Sequence, residues 1–298
     1  MNANAPVVPP VVAPVVAPVA APAAPAAAPA AATSDMPRKP ISGWKSVVLG
    51  ALIVVTLIVA WFVVPGWNWV LSVATLTIFL MYLGYALTTR LLGFLINERK
   101  LMSLSRFQMA LWTVLIIAAY LVIALMRVKA GVANPLVVTI DWQIWTLLGI
   151  STASLVGTPL LNDSKRKKEP GKDDQSKEEI LAKAGQPFDQ TSTVVDKNRD
   201  GLLYGNSSID DARFTDLFEG DELSNSRFIE LGQVQMFFFT VLVALVYAVQ
   251  VFHLISSPGL ATAPEASLPL LPEGLLALMG VSNAGYLGNK AIDRTPSS

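Results

Sequence analysis

Two stretches decide the fold, LSRFQMALWTVLIIAAYLV (104–122) and LLGISTASLVG (147–157), because both recur later in the chain in the same order. The first returns as LGQVQMFFFTVLVALVYAV (231–249), with eight of nineteen positions identical. The second returns as LMGVSNAGYLG (278–288), with five of eleven positions identical. Two helix-length segments repeated in a fixed order predict a duplicated two-helix unit.

The surroundings of the repeat have the composition of a membrane protein. Only 15% of the residues are charged, whereas a soluble domain carries about 25%, and the charges cluster between long uncharged apolar runs. Each run approaches the roughly 20 residues that a helix needs to cross the hydrocarbon layer. The sequence therefore predicts an all-α membrane protein with six transmembrane helices, a leading hairpin followed by tandem parallel two-helix repeats at about 104–157 and 231–288. The predicted spans are 47–64, 69–88, 109–126, 144–161, 236–255 and 270–287.

The orientation follows from the basic residues, which concentrate on the cytosolic side of membrane proteins. With a cytosolic amino terminus, 20 of the 22 lysines and arginines lie inside, and only Arg127 and Lys129 lie outside. Both termini are therefore predicted to be cytosolic. The predicted regions are a disordered Pro/Ala-rich arm (1–40), a first hairpin with its connector (41–105), repeat 1 (106–161), a cytosolic loop (162–233), repeat 2 (234–290) and a tail (291–298).

The fourth and sixth predicted spans each carry three small residues at intervals of four, which lie on one face of a helix and let another backbone approach closely. The simplest interpretation is that these two helices pack on each other or on the other helix of their own hairpin. A seam between copies of the chain and a narrow polar path are the alternatives. The predicted packing residues are Gly149, Ala153, Gly157, Gly280, Ala284 and Gly288.

Polar residues recur inside the repeated helices and form a second group of candidates. In lipid such side chains bond across helices or to backbone groups, and a ligand site formed by the matched glutamines is the functional alternative. The candidates are Gln108, Thr113, Ser151, Gln235, Thr240, Ser282 and Asn283.

The cytosolic loop contains one motif with chemical meaning. Residues 196–201, DKNRDG, match the opening of a calcium-binding loop, in which Asp196, Asn198 and Asp200 would supply oxygen ligands. The twelfth position is Ser207 instead of the usual glutamate, so a solvated turn is the competing interpretation. No other cofactor is predicted.

Further along the loop, Phe214, Leu217 and Phe218 have the spacing of a short amphipathic helix. Its acidic neighbours favour docking on the basic connector at 90–106 over contact with an anionic membrane surface.

Four stretches resemble a group of uncharacterised bacterial multi-span membrane proteins. The resemblance covers roughly residues 45–292 and implies a bacterial inner-membrane location but no established activity. The stretches are SLSRFQMALWT (103–113), RFTDLFEGDEL (213–223), VQMFFFTVLVALVYAV (234–249) and LMGVSNAGYLGNKA (278–291).

The composition also bears on function. There is no cysteine and one histidine, and no nucleophile–base pair or metal quartet is recognisable, so we expect no enzymatic activity. A net charge of zero gives no sign of nucleic-acid binding.

The favoured function is that of a scaffold or sensor component acting through the loop at 162–233, with a protein partner or a second copy of the chain. The alternatives are an oligomeric channel or passive transporter lined by the Gly, Ala and Ser faces of the fourth and sixth spans, and a calcium-responsive membrane protein.

Overall fold

The computed structural model describes residues 42–169 and 198–295. Six long helices account for most of this part of the chain. The predicted Pro/Ala-rich arm lies outside the described residues, as do the middle of the polar loop and the last three residues. The helices are α1 (Gly43–Phe62), α2 (Trp67–Thr88), α3 (Leu104–Lys129), α4 (Trp142–Arg166), α5 (Leu231–Ser256) and α6 (Glu273–Ala291).

Five of these helices, α1 to α5, are long and apolar enough to cross a membrane. The sixth has only 19 residues and falls short because polar residues such as Ser282, Asn283 and Asn289 dilute its apolar content. The chain thus has the composition of a multi-pass membrane protein, with five candidate spans where the sequence predicted six.

The outer faces of the helices support the same interpretation. Large apolar side chains such as Val47, Phe62 and Leu245 are mostly exposed on α1 and α5. A continuous apolar surface of this extent is unfavourable in water but is solvated by lipid.

Helices α3 to α6 form a four-helix bundle in which the two hairpins lie side by side. Ring contacts join Phe107 to Phe237 and Trp112 to Tyr247, so α3 and α5 run in the same direction. Helices α4 and α6 are also parallel, because Ile150 lies beside Gly280, and Leu287 lies one to two turns further along beside Gly157. The order of contacts around the bundle is α3, α4, α6, α5.

The end of the bundle formed by residues 130–141 and 257–272, here named the far end, is closed by backbone pairing. A two-residue parallel ladder joins β1 (Val138–Thr139) to β4 (Ala266–Ser267). The buried Arg127 donates hydrogen bonds to the carbonyl oxygens of Ala263 (2.7 Å) and Pro264 (3.2 Å). The next layers of the core are apolar, with Val122, Ile123 and other fully buried side chains.

At the opposite end, here named the loop end, residues 198–230 fold over the helices and are named the platform. The helices continue further here than the apolar runs indicated. Helix α4 continues to Arg166 instead of ending near residue 161, and α5 begins at Leu231 instead of near 236. Polar residues can extend a helix beyond the hydrocarbon layer, and cations favour the carboxyl end of α4 through the helix dipole.

The platform begins with a hairpin of β2 (Arg199–Asp200) and β3 (Leu203–Tyr204) that sits on the end of α4. The Leu202 N–H donates to the Lys165 carbonyl oxygen at 3.2 Å. At the turn, Gly201 has a φ of +66°, and a β-carbon there would lie 2.4 Å from the Arg166 carbonyl oxygen. Two separate constraints therefore require glycine at this position: the positive φ and the close approach of the hairpin to the end of α4.

We expect Gly201→Ala to destabilise the purified protein more than Gly131→Ala. Both glycines have a positive φ, but a β-carbon at Gly131 would meet nothing within 4 Å. The shared backbone strain costs about 1 kcal/mol in each variant, and the collision with α4 adds roughly 1–3 kcal/mol at Gly201. Thermal unfolding of the two variants in detergent measures the difference, and equal unfolding temperatures would contradict the docking of the hairpin.

Candidate functional site

The platform is held to the bundle by a cluster of buried charges. Lys165 at the end of α4 and Glu222 of the platform form an ion pair with a 2.5 Å Nζ–Oε1 distance, and their side chains are only 4% and 3% exposed. Beside them, Asp221 pairs with Lys290 of α6 at 2.5 Å and with Arg99 of the connector. We name these five residues the ion cluster.

Glu222 connects three parts of the chain. One carboxylate oxygen accepts from Lys165, and the other accepts from the backbone N–H groups of Arg294 (2.8 Å) and Thr295 (2.6 Å). Lys165 also donates to the Ile292 carbonyl oxygen at 2.8 Å. The platform, the end of α4 and the segment after α6 are therefore fixed together at one carboxylate.

Arg99 joins the connector to the same cluster. Its guanidinium donates to the carbonyl oxygens of Tyr204 (2.9 Å) and Asp221 (3.0 Å) and pairs with the Asp221 carboxylate. Removing charges from water costs several kcal/mol per ion, and good pairing geometry only offsets that cost. Such a cluster therefore fixes the position of the platform more than it adds net stability.

The lowered pKa of the Asp221 carboxyl shows that the electrostatic potential inside the cluster is positive. Burial alone would raise this pKa, but the neighbouring charges of Lys290 and Arg99 outweigh burial and hold it well below its ordinary value of 3.8. Asp221 therefore remains an anion throughout the physiological pH range.

The predicted docking of the segment around Phe214 on the basic connector is confirmed. The Met102 N–H donates to Asp216 Oδ2 at 3.2 Å, and Arg90 pairs with Asp210 at 3.3 Å. Leu217 is fully buried in a small apolar cluster with Leu104 of α3. The segment Phe214–Leu217 is a 3₁₀ helix, shorter than the predicted amphipathic helix.

Of the three predicted calcium ligands, the structure describes two. Asp196 lies outside the described residues, and Asn198 is buried at the start of the platform hairpin. The Asp200 carboxylate lies 2.5 Å from Arg166 Nε, so a cation already neutralises it. Within residues 42–169 and 198–295, no three His, Cys, Asp or Glu side chains converge as metal ligands would.

Below the ion cluster, a polar layer continues into the bundle. Lys290 donates to the Tyr286 hydroxyl at 2.8 Å. That hydroxyl lies 3.4 Å from the hydroxyls of Ser105 and Thr158, and Ser105 is also 3.2 Å from Ser154. Hydrogen bonds therefore join the platform to side chains of α3, α4 and α6.

Most of the predicted polar candidates lie one helical turn deeper. Gln108 follows Ser105 by three residues, and Ser151 precedes Ser154 by three on the antiparallel α4. On α6, Ser282 and Asn283 precede Tyr286 by one turn. Thr240 follows Met236 of α5 by one turn, and Met236 packs in the same cluster as Leu104 and Tyr286. All five candidates are buried: Gln108, Ser151, Thr240, Ser282 and Asn283. We name them the inner polar layer.

The inner polar layer is only partly satisfied. Ser151 donates to the Leu147 carbonyl oxygen and Asn283 to that of Met279, each within its own helix. In the described part of the chain, both polar atoms of the Gln108 amide and the hydroxyls of Thr240 and Ser282 have no hydrogen-bond partner. Buried polar groups of this kind are costly and are usually satisfied by water or a ligand.

Two polar candidates lie elsewhere. Thr113 is partly exposed in a cavity between α2, α3 and α4. Gln235 is exposed on the outside of α5, although it aligns with the buried Gln108 in the repeat. Its neighbour Gln233 is buried instead and donates to the Glu219 carbonyl oxygen at 2.9 Å. The two glutamines therefore form no paired site within this chain.

The small-residue stripes contribute only in part to the helix packing. Helices α4 and α6 contact each other, and two of the six stripe residues lie in that contact, beside Ile150 and Leu287. Gly149, Ala153, Ala284 and Gly288 are exposed. Gly157 and Gly280 lie at the rim of the contact, where a β-carbon would meet Leu287 at 3.4 Å and Ile150 at 3.8 Å. The other four stripe residues stay outside this contact, because the polar faces with Ser151 and Ser282 turn inward.

The sequence predicted only one part of the ion cluster. Arg99 on the connector and the acidic residues Asp221 and Glu222 belong to the predicted docking, whereas Lys165 and Lys290 were interpreted only as topology signals at the ends of spans. The available signal was an acidic pair in a loop that follows a helix ending in cations, together with a lysine in the last turn of the final helix.

No protein-family model matches the chain, and neither the curated proteins nor the solved structures contain a significant match.

We expect Glu222→Gln to release the platform, because the buried Lys165 ammonium then keeps only the Asp293 carboxylate, 4.0 Å away, as a counter-ion. Breaking one side of a buried pair costs roughly 3–5 kcal/mol. Hydrogen exchange of the 198–230 amides measures the opening free energy. The control is Asp163→Asn, which removes the exposed partner of Lys167 and should change that free energy by less than about 1 kcal/mol. Equal effects of the two variants would contradict a structural role for the cluster.

Acidification should weaken the platform only at low pH. The folded-state pKa of Asp221 lies below the unfolded value, so its stabilising contribution is complete above about pH 4 and is lost as the pH falls further. The difference in exchange protection between the wild type and Asp221→Asn should stay constant from neutral pH to about pH 4 and then shrink. The variant Asp210→Asn, at an exposed pair, is the control. A difference that already shrinks near pH 6 would refute this assignment.

Proposed function

We propose that this protein is a non-enzymatic scaffold of the bacterial inner membrane, in which the bundle anchors the platform at the cytosolic face for a partner protein. In this proposal α6 is the sixth span, so the described ends of the chain lie on the same side. Two contacts support that arrangement: Lys45 near the start of α1 donates to the Ala86 carbonyl oxygen near the end of α2, and Thr295 contacts Glu222.

The ion cluster is the observation that carries the proposal. A segment that only linked α4 to α5 would not need the buried carboxylate of Glu222 and the largely buried carboxylate of Asp221, with partners from the connector, α4, α6 and the segment after α6. The best-attested role of buried charges is to fix the relative position of chain segments. A scaffold requires a fixed surface, because a partner that binds a rigid surface does not have to order it and incurs no entropic cost for doing so.

The outer face of the platform suits a protein partner. Ile209 is partly exposed there, and Arg227 and Phe228 are exposed. Apolar and aromatic residues with an arginine are the side chains enriched at protein interfaces.

Photo-crosslinking in the native cells tests the scaffold. We expect a photoreactive residue at Ile209 or Arg227 to give one discrete crosslinked protein, and the same residue at Leu136 on the far end to give none. The yield should fall when Glu222→Gln is added, because the platform then loses its fixed position. Absence of a platform product, or a yield that Glu222→Gln leaves unchanged, would contradict the proposal.

A second candidate function is a passive permeation path, which the unpartnered atoms of the inner polar layer favour. Such a path would run inside each bundle. The small-residue faces, which the sequence suggested as the lining of an oligomeric pore, lie outside it. The apolar layers between Trp112 and the far end, which include Val122 and Ile123, would then act as its gate.

Cysteine labelling separates the two functions, because the native chain contains no cysteine. If a path exists, single cysteines at Ser151, Ser282 and Asn283 should react with a polar thiol reagent in liposomes. A cysteine at Thr152, which is exposed on the outer surface of α4, should stay protected by lipid. Protection of all four positions would exclude the path and leave the layer as internal packing.

A further inference from the structure

A cavity of about 490 Å³ lies between α2, α3, α4 and the connector at the loop end. Its polar side is formed by the first turn of α3, with Ser103 and Arg106, and by Asn162 and Arg166 of α4. Its other side is apolar, with Leu80, Phe94, Met109 and Leu155 among the lining residues. The cavity therefore combines a cationic end with a hydrocarbon-like wall.

Arg106 is the uncompensated charge of this cavity. Among the described residues, it makes no ion pair and no hydrogen bond. The other two arginines are engaged, Arg99 by Asp221 and Arg166 by Asp200 and the exposed Glu98. An arginine at this position is free to bind an anion through its planar fork of donors.

Asn162 gives independent evidence for a ligand. Its side chain is only 6% exposed, and its buried amide oxygen has no partner within the described part of the chain. Asn162 also lines the cavity, where its amide NH₂ group can donate to an anion. The N-cap residue Ser103 also makes no side-chain hydrogen bond to α3, whose positive end points to the same place.

An apolar groove continues the cavity toward the middle of the bundle. It runs between α2 and α3 past Val73 and Val114 and shares Leu80, Phe94 and Ala110 with the cavity. A ligand that fills both parts has an anionic head at the loop end and a hydrocarbon chain directed into the membrane. That is the shape and orientation of a membrane lipid.

We propose that this cavity binds one anionic phospholipid, whose phosphate contacts Arg106 and Asn162 and one of whose acyl chains lies in the groove between α2 and α3. The cationic rim selects a headgroup without a positive charge, and the groove selects a lipid over free phosphate.

Native mass spectrometry of the full-length protein titrated with phosphatidylglycerol in a neutral detergent tests the proposal. One lipid should remain bound per chain. Arg106→Gln should weaken its binding about tenfold, the equivalent of one charge-assisted hydrogen bond. Arg213→Gln removes the same charge from an exposed position of the platform and should have no effect. Equal weakening by both variants would show non-specific surface attraction and overturn the proposal.

Two further comparisons, one of groove-filling variants and one of lipid headgroups, identify the ligand. Ala110→Phe fills the start of the groove and should abolish binding, whereas Ala51→Phe on the exposed face of α1 should not. Phosphatidylcholine should bind at least about tenfold more weakly, since its choline group opposes the cationic rim. Displacement of the lipid by excess inorganic phosphate, or binding that survives Ala110→Phe, would mean that the cavity takes a free anion and would overturn the lipid assignment.

Discussion

The loop end of this protein depends on one buried carboxylate. Glu222 accepts hydrogen bonds from Lys165 of α4 and from two backbone N–H groups after α6. Its neighbour Asp221 forms ion pairs with Arg99 of the connector and Lys290 of α6. In lipid there is no hydrophobic gain from bringing helices together, so polar contacts and close packing determine which helices meet. The ion cluster supplies such contacts where the helices leave the membrane.

From the ion cluster, polarity decreases stepwise toward the middle of the bundle. The hydroxyl network around Ser105 and Tyr286 comes first, then the inner polar layer, and then an apolar core around Val122 and Ile123. Polar groups are least costly near the water boundary and most costly at the membrane centre. This gradient supports both proposed roles of the bundle, a rigid anchor for the platform and a hydrated path closed at one end.

The sequence predicted the helices well and their rotation poorly. Apolar runs of sufficient length marked each of the five helices that can cross a membrane. They did not show which face of α4 or α6 turns inward, because a helix in lipid is apolar on every side and its periodicity carries little information. Gly149 and Ala153 therefore lie outside while Ser151 lies inside, and Gln235 is exposed although Gln108 is buried. The ion cluster could not be predicted from spacing, since its charges come from four separate segments.

The most direct test of the fixed platform is hydrogen exchange of the full-length protein in lipid nanodiscs. A fixed platform requires two of its amides to exchange as slowly as those in the first half of α3: Leu202, which donates to the Lys165 carbonyl oxygen at the end of α4, and Asn206, which donates to the Arg99 carbonyl oxygen of the connector. Exchange of these amides at the rate of an unstructured peptide would show that the platform is a loose linker and would contradict the account.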